Sequence, residues 1–384
     1  MSSPSAPGAG GAPGARGMGD AHGTGDAPGA GDAPGAGDAH GAGGAGGKGD
    51  ARETEGPCLV TGATGFIGGR LAARLHAAGR PVRCLARPTS DTTSLRALGL
   101  EIATGDLTEP ASLARAAEGC ATVVHCAAMV TDWATVAELR AANVAGTRHV
   151  AAAAARAGAR RLVHVSTTDV YGHPGGAEVE ESLRGDRFAN WYSQTKLEAE
   201  DALAAAAAGA LEWTVLRPAT VYGPGSVEVV GEIAKAIRAG HMLLIDRGRA
   251  IAGLLYVENL IDAIVLALDA SVAAGRAFNV SDGLEVTWRQ FTADLAAGLG
   301  CRAPRLSLPY APAAALARTL ELGYRGLRRT TGLRTAPLLS RQAVQVLGRD
   351  QRFSARAAAV QLGWHPRVGY EEGIAATLDW LHAI

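Results

Sequence analysis

A tyrosine and a lysine, Tyr192 and Lys196, stand four positions apart in the sequence. On a helix this spacing puts both side chains on one face, one turn apart. The pKa of a free tyrosine is about 10, and a neighbouring ammonium favours its phenolate form. Such a pair can supply the proton that accompanies hydride transfer to or from a carbonyl. The spacing alone is common on exposed helices, so this interpretation depends on a hydride-carrier site elsewhere in the chain.

Three hydroxyl residues, Ser166, Thr167 and Thr168, lie at the end of a β-branched run that predicts a strand over 161–166. In a doubly wound sheet the active site lies at the carboxyl ends of the strands. A hydroxyl at this point can polarise a substrate oxygen. For any single one of the three, capping of the strand or of the next turn is the simpler interpretation.

A glycine-rich loop at 61–68 predicts a phosphate-binding turn between the first strand and the first helix. We expect a tight turn at Gly62, close approach of a pyrophosphate at Gly65 and close helix-to-sheet packing at Gly68. The start of the helix then offers free N–H groups to the phosphates. In a chain with 51 glycines the triplet is weak evidence by itself, and its position favours a dinucleotide site over an ordinary turn.

The end of the second predicted strand indicates which dinucleotide is bound. NAD sites place a carboxylate there to hold a free ribose diol, whereas this chain has Arg87. A guanidinium suits a 2′-phosphate, so Arg87, together with Thr89 or Ser90, favours NADP(H) over NAD(H). An ordinary surface arginine is the alternative. Two further loops, 105–107 and 126–128, have small side chains that leave room for the dinucleotide.

From Pro57 onward, β-branched runs alternate with Ala/Leu/Arg-rich stretches of helical period. We therefore predict an α/β fold, a doubly wound parallel (Rossmann) sheet with a smaller C-terminal substrate-binding lobe. The predicted strands are 58–60, 82–86, 101–103, 122–125, 161–166, 213–216 and 277–280. The predicted helices are 66–78, 110–118, 136–157 and 193–208. An amphipathic stretch at 313–329 is interpreted as a solvated helix face rather than a lid or membrane-surface helix.

The composition divides the chain into three segments. Residues 1–56 repeat a Gly-Asp-Ala-Pro-Gly-Ala block with almost no large apolar side chain and predict a disordered Gly/Ala/Pro/Asp-rich tail. Residues 57–222 are expected to form the dinucleotide-binding core. Residues 223–384 are expected to form mainly the substrate-binding lobe, with elements that return to the core.

Charge and cysteine content exclude several classes of protein. The net charge is zero, with −4 on the tail and about +4 on the body, an excess too small to argue for nucleic acid. The apolar stretches are far shorter than the roughly 20 residues that span a bilayer, and no leader pattern is present. The five cysteines include no Cys-x-x-Cys pair, which fits reduced thiols. We expect a cytoplasmic protein without a metal site or membrane span.

Seven short motifs follow one another between residue 57 and about residue 282. They are Thr61-Gly-Ala-Thr-Gly-Phe-Ile-Gly68, Gly105-Asp-Leu107, Asn143-Val-Ala-Gly-Thr147, Ser166-Thr-Thr-Asp-Val-Tyr-Gly172, Tyr192-Ser-Gln-Thr-Lys196, Arg217-Pro-Ala-Thr-Val-Tyr-Gly-Pro224 and Leu255-Tyr-Val-Glu-Asn259. In this order they resemble the extended short-chain dehydrogenase/reductase family, also called the NAD-dependent epimerase/dehydratase superfamily. The segment 362–373 is similar to the closing segment of that family.

The resemblance implies roles for the residues at matching positions. Thr167 would be the catalytic hydroxyl, Tyr192 the acid/base, and Lys196 the group that lowers the pKa of Tyr192 and holds the nicotinamide ribose. Pro218 and Val221 would lie beside the nicotinamide. With the loops above, the expected cofactor-binding residues are Gly62, Ala63, Thr64, Gly65, Phe66, Ile67, Gly68, Arg87, Asp106, Leu107, Ala127, Ala128, Lys196, Pro218 and Val221. The resemblance also suggests a homodimer through the helices at 136–157 and 193–208.

Departures from the family pattern narrow the range of expected substrates. Sugar-nucleotide members usually carry Asn where this chain has Thr220 and Arg where it has Ala252, and both normally grip the diphosphate. Dehydratase members add an Asp-Glu pair where this chain has Thr168 and Asp169. The remaining similarity is to the 3β-hydroxysteroid dehydrogenase-like branch. Candidate apolar pocket residues, each more often plain core or surface, are Met129, Val130, Trp133, Val179 and Trp191.

The leading hypothesis is interconversion of a secondary alcohol and a ketone on an apolar, steroid-, terpenoid- or polyketide-like small molecule. One alternative is a nucleotide-sugar epimerase that oxidises its substrate transiently with bound NAD. Another is a non-catalytic sensor that binds NADPH and signals through the tail.

Overall fold

The structure, a computed structural model, describes residues 56–131, 134–331 and 339–384. The tail predicted to be disordered and the candidate pocket residue Trp133 therefore lie outside the described residues, apart from Gly56.

Eleven strands are present in these ranges. They are β1 (Cys58–Thr61), β2 (Val82–Ala86), β3 (Glu101–Thr104), β4 (Thr122–His125), β5 (Arg161–Val165), β6 (Glu212–Pro218), β7 (Thr220–Tyr222), β8 (Leu243–Ile245), β9 (Leu254–Tyr256), β10 (Arg276–Val280) and β11 (Leu306–Leu308). Seven of them form one parallel sheet in the order β10-β6-β5-β4-β1-β2-β3. The predicted doubly wound parallel sheet is therefore confirmed.

Twelve α-helices surround and extend this sheet within the same ranges. They are α1 (Phe66–Ala77), α2 (Thr93–Ala97), α3 (Pro110–Ala117), α4 (Val136–Leu139), α5 (Gly146–Arg156), α6 (Trp191–Ala207), α7 (Glu232–Arg238), α8 (Val257–Asp269), α9 (Trp288–Gly298), α10 (Tyr310–Thr331), α11 (Arg341–Gly348) and α12 (Tyr370–Ala383). Of the helices in these parts of the chain, none combines the length and apolar character needed to cross a membrane.

The central strands are buried because helices cover both faces of the sheet. β1, β4 and β5 are buried along their whole length, as expected for inner strands of a parallel sheet. Alternate residues enter different cores: Val60 joins the cluster on one face, and Leu59 joins the cluster on the other. This packing fixes the carboxyl ends of the strands, where the candidate site residues lie.

The helix predicted over 136–157 is interrupted. A π-helical segment, Arg140–Ala145, separates α4 from α5. Within it, the side chain of Asn143 accepts a hydrogen bond from the Met129 backbone N–H at 2.8 Å and donates to the Met129 carbonyl at 3.2 Å. Single-turn π-bulges occur frequently at functional sites, and helical periodicity gave no sign of this one.

The second half of the chain adds two small parallel sheets, β7 with β9 and β8 with β11. β10 returns from this half to pair with β6 in the central sheet. The division into a core at 57–222 and a lobe at 223–384 stays a prediction.

Candidate active site

The glycine loop follows β1 and turns back on itself. The Gly65 N–H donates to the Gly62 carbonyl at 3.0 Å. Gly62 has a φ of +71°, and a Cβ added there would lie 2.8 Å from the Ala127 backbone nitrogen. A Cβ on Gly68 would lie 2.3 Å from the Gly62 carbonyl oxygen. Only glycine fits at these two positions, so the loop packs tightly against both α1 and the segment after β4.

The start of α1 has the character expected of a phosphate site. Its N-cap residue, Gly65, is exposed and makes no side-chain capping bond, so the first N–H groups of the helix are not satisfied by a side chain. The loop lies at the carboxyl end of β1, whose neighbours are β2 and β4. Strand order reverses at this point, which is where open α/β sheets bind ligands. These residues therefore fit a dinucleotide.

Arg87 lies directly after β2 and is exposed. It is close enough to Asp106 to help lower the pKa of that carboxyl, although bonds from Thr108 are the larger causes. The Asp106 carboxylate accepts hydrogen bonds from the Thr108 backbone N–H at 2.8 Å and from the Thr108 hydroxyl at 2.6 Å. Asp106 thus closes its own turn, and Arg87 presents an exposed guanidinium at the end of β2.

The other predicted cofactor residues lie along the same edge of the sheet. The Ala127 N–H donates to the Thr61 hydroxyl at 3.2 Å, and Ala128 is half-buried beside it. Leu107 is half-buried, and a Cβ on Gly146 would lie 3.0 Å from its Cβ. The remaining members of the predicted set are distributed as follows: Ala63 and Pro218 are buried, Thr64 is exposed, and Phe66, Ile67 and Val221 are half-buried.

Tyr192 and Lys196 both lie on α6, which begins at the carboxyl edge of the sheet. Asn190 caps this helix by accepting a hydrogen bond from the Ser193 N–H at 2.9 Å. Tyr192 is half-buried, whereas Lys196 is only 2% exposed. The structure therefore confirms the helical spacing of the predicted pair and separates the two by burial.

The Lys196 ammonium is held against β5. It donates to the Val165 carbonyl at 2.9 Å and lies 3.3 Å from His164 Nε2. Burial lowers the pKa of Lys196 to about 8, an effect that Glu200 and then Cys126 partly oppose. Because desolvation disfavours the ammonium, Lys196 loses its proton at a lower pH than an exposed lysine does.

The hydroxyl residues after β5 have different roles. Ser166 donates to the Glu200 carboxylate and is buried. Thr167 is half-buried and caps the turn at 168–171 by accepting a hydrogen bond from the Asp169 N–H at 3.2 Å. Thr168 is buried. Because Thr167 caps the turn through its oxygen, its hydroxyl hydrogen is not used in that bond.

A buried ion pair fixes α6 to the sheet. The Arg217 guanidinium on β6 contacts the Glu200 carboxylate with Nη2 at 2.6 Å. Arg217 also donates to the Tyr171 hydroxyl at 2.8 Å, and that hydroxyl donates to Asn279 on β10 at 2.6 Å. Since every member has a partner, the network holds the helix that carries Lys196 in a single position.

Sequence reasoning missed two buried histidines next to Lys196. His125 ends β4, His164 precedes the last residue of β5, and the two are register partners with ring centroids 5.0 Å apart. The only sequence signal was their position near the carboxyl ends of neighbouring strands, which does not distinguish them from core histidines.

The candidate pocket residues separate into two groups. Met129, Val130 and Trp191 are exposed, with Trp191 at 41%. Val179 is 7% exposed, belongs to the main hydrophobic core and bridges to Phe353. Val179 is therefore core, because its backbone pairs with the C-terminal segment and turns its side chain inward.

Comparison with known proteins identifies relatives over most of the chain. Residues 58–281 match the model of the NAD dependent epimerase/dehydratase family. The chain is 33% identical over 321 residues to the 4-hydroxy-2-methyl-3-oxo-4-farnesyl-3,4-dihydroquinoline-1-oxide ketoreductase of Stigmatella aurantiaca, covering 83% of this chain and 94% of that protein. It is 31% identical to a 3 beta-hydroxysteroid dehydrogenase/Delta 5→4-isomerase of Mycobacterium tuberculosis, covering 85% and 90%.

A solved structure of MoeE5 in complex with UDP-glucose and NAD is similar with a TM-score of 0.66 and 26% identity, over 85% of this chain and 99% of that one. The named relatives are reductases and dehydrogenases, and this chain is an enzyme of the dehydrogenase/reductase class. With its glycine loop, its Tyr/Lys helix and the matched span of residues, the chain belongs to the NAD-dependent epimerase/dehydratase family.

Proposed function

We propose that this enzyme interconverts a ketone and a secondary alcohol on an apolar small molecule, with Tyr192 as the acid/base. The observation that carries the proposal is the position of Lys196. Its buried ammonium lies on α6, one turn after Tyr192, and bonds to the last carbonyl of β5. A cation in this position favours ionisation of a nearby phenol.

A bound nicotinamide dinucleotide would supply or accept the hydride. For reduction, Tyr192 donates its hydroxyl proton to the carbonyl oxygen while that carbon receives the hydride, and solvent later restores the proton to the phenolate. Lys196 would stabilise the phenolate by its charge and donate one hydrogen bond to the nicotinamide ribose. Thr167 donates a hydrogen bond to the substrate oxygen, and Pro218 and Val221 bound the nicotinamide side of the crevice.

The proposed cofactor is NADP(H). Arg87 is exposed at the end of β2, and the carboxylate of Asp106 is occupied with its own turn. A 2′-phosphate would pair with this guanidinium, whereas a free ribose diol would find no carboxylate directly after β2.

The proposal of an apolar substrate is supported by Ala252, which stands where sugar-nucleotide members of the family usually carry a diphosphate-binding arginine. Ala252 is fully buried and its N–H bonds to the Val286 carbonyl, so no cationic side chain stands there. The Stigmatella relative is named for a farnesyl-bearing quinoline oxide and the mycobacterial relative for a steroid, both of which are largely apolar molecules. A reductase of such molecules does not need side chains that bind a diphosphate.

The experiment is a calorimetric competition of NADPH against NADH on the full chain, followed by a panel of hydrophobic ketones and alcohols. We expect tighter binding of NADPH and turnover of at least one bulky ketone. Preference for NADH would contradict the role of Arg87. Retained NAD together with binding of UDP-glucose would instead support an epimerase, and cofactor binding without turnover of any ketone would support a sensor.

A further inference from the structure

A chain of buried polar groups runs beneath the proposed dinucleotide site. The Ala127 N–H donates to the Thr61 hydroxyl, which lies 2.7 Å from His125 Nδ1. His125 Nε2 lies 3.1 Å from the Thr147 hydroxyl, which donates to the Asn143 carbonyl at 2.6 Å. Since the Thr147 hydrogen is used there, Thr147 accepts from His125 Nε2–H, and Nδ1 accepts from Thr61. Both nitrogens of His125 are therefore occupied within this chain.

His164, its neighbour on β5, is held differently. It is 1% exposed, and burial, with Lys196 and then His125 as further causes, puts its pKa well below the usual value, so the ring is neutral. A neutral imidazole has one N–H and one acceptor nitrogen. Nε2 lies 3.3 Å from the Lys196 ammonium, which can only donate, so Nε2 is the acceptor and the proton is on Nδ1.

The Nδ1–H tautomer of His164 leaves one buried donor without a hydrogen bond in the described parts of the chain. Among the residues described, His164 Nδ1 is buried and has no hydrogen-bond partner. A buried donor without a partner is destabilising. What this tautomer gains is the contact between Nε2 and the Lys196 ammonium.

We propose that His164 is a positioning residue for Lys196, acting as the second acceptor that fixes its ammonium; this inference rests on the proposed function. An ammonium has three N–H groups. The Val165 carbonyl and His164 Nε2 accept hydrogen bonds from two of the Lys196 N–H groups. The third N–H is left for the cofactor and Tyr192.

The other ionisable groups around Lys196 do not replace this acceptor. Glu200, on the same helix, is bound by Arg217 and Ser166. Cys126, after β4, is a neutral thiol because burial raises its pKa to about 12. His125 is neutral, with its pKa lowered to about 3 by burial and then by Lys196, and its nitrogens bond to threonines.

The first test needs no activity. Nitrogen-15 spectra of histidine-labelled full-length protein distinguish the two neutral tautomers. We expect His164 to carry its proton on Nδ1 from about pH 6 to about pH 7. In this range Lys196, with its pKa of about 8, is still mostly charged. A Lys196→Met variant should change the Nε2 shift of His164 more than that of any other histidine. A proton on Nε2, or no response to that substitution, would overturn the proposal.

The second test separates positioning from packing. His164→Phe keeps a ring of similar size without an acceptor, His164→Gln keeps an acceptor, and His365→Phe is the matched exposed control. We expect His164→Phe to lower kcat/KM for ketone reduction by about tenfold, as for loss of a hydrogen bond to a charged group. The alkaline limb of its pH profile should move to lower pH by about one unit, because the ammonium loses an acceptor.

His164→Gln should restore the wild-type profile. Wild-type profiles in both variants would contradict the positioning role, as would equal loss in both without a shift. If wild-type enzyme and Tyr192→Phe are equally inactive on every ketone, the proposed function fails, and the tautomer measurement still decides whether His164 holds Lys196.

Discussion

The Lys196 ammonium lies 2.9 Å from the carbonyl oxygen of Val165, the last residue of β5. This bond holds the Lys196 side chain, which α6 carries, at the carboxyl edge of the central sheet. In that sheet β4 lies beside β5, and β1 lies beside β4. In the proposed mechanism, this cation favours ionisation of the Tyr192 phenol.

Burial of Lys196 predicts a pH-dependent stability. Its pKa is lowered from the ordinary 10.5 to about 8. Between these values the unfolded chain binds more protons than the folded one, so the free energy of unfolding should rise with pH in this window. The difference between wild type and Lys196→Met in urea should increase by about 1 kcal/mol per pH unit from pH 8 upward. A difference that stays constant with pH would show that the ammonium is not desolvated.

Replacement of Tyr192 by Phe should remove the proton donor and leave the cofactor site intact. We expect a loss of about 10²- to 10⁴-fold in kcat/KM with an unchanged Kd for NADPH. Tyr222→Phe is the matched control. Its hydroxyl is buried without a partner among the described residues, so its removal should leave activity unchanged and stability equal or slightly higher. Ordinary activity in Tyr192→Phe would rule out the proposed acid/base.

Reversal of charge at the end of β2 should change cofactor choice. Arg87→Asp should weaken NADPH binding by about 10- to 100-fold and leave NADH binding equal or tighter, since a carboxylate repels the 2′-phosphate and accepts from a diol. Arg115→Asp, an exposed arginine on α3, makes the same charge change away from the loop. If both variants lose NADPH affinity equally, the effect is one of net charge and Arg87 has no specific role.

The glycine loop should not accept a methyl group at Gly68. A Cβ there would lie 2.3 Å from a backbone oxygen, so Gly68→Ala must displace the loop or α1. We expect binding of either dinucleotide to be lost and stability to fall by about 1–3 kcal/mol. Gly323→Ala on α10, with nothing within 4 Å of its Cβ, should instead stabilise by about 0.5–1 kcal/mol. Calorimetry and urea unfolding measure both effects, and normal cofactor affinity in Gly68→Ala would contradict the tight packing.

Periodicity predicted the central sheet well because inner parallel strands are short, apolar and bounded by turns. The bounds of β2 and β4 match the predicted 82–86 and 122–125. The small sheets of the second half were not predicted, since strands such as β8 have three residues and no period to detect. The break between α4 and α5 coincides with hydrogen bonds between Asn143 and Met129, which periodicity within a single helix cannot predict.

The site was predictable where chemistry imposes spacing. The glycine triplet and the Tyr192/Lys196 pair are both recognisable from the spacing of residues in the sequence. The role proposed for His164 was not, because a single histidine in a buried strand has the same sequence appearance whether it only packs or also positions a neighbour. Val179 was a candidate pocket residue for which plain core or surface was the more common expectation, and its burial and pairing with Phe353 place it in the core.

Hydride transfer from the cofactor to the ketone is measured most directly by following deuterium from NADPH into the product alcohol. Full-length enzyme is given NADPH deuterated at either face of nicotinamide C4 and a hydrophobic ketone that it turns over, and the product alcohol is analysed by mass spectrometry. We expect deuterium at the carbinol carbon from one face only with wild type, and product formation by Tyr192→Phe that is slower by about 10²- to 10⁴-fold. Product formation by that variant at the wild-type rate, or an alcohol without deuterium from either face, would contradict the proposed mechanism.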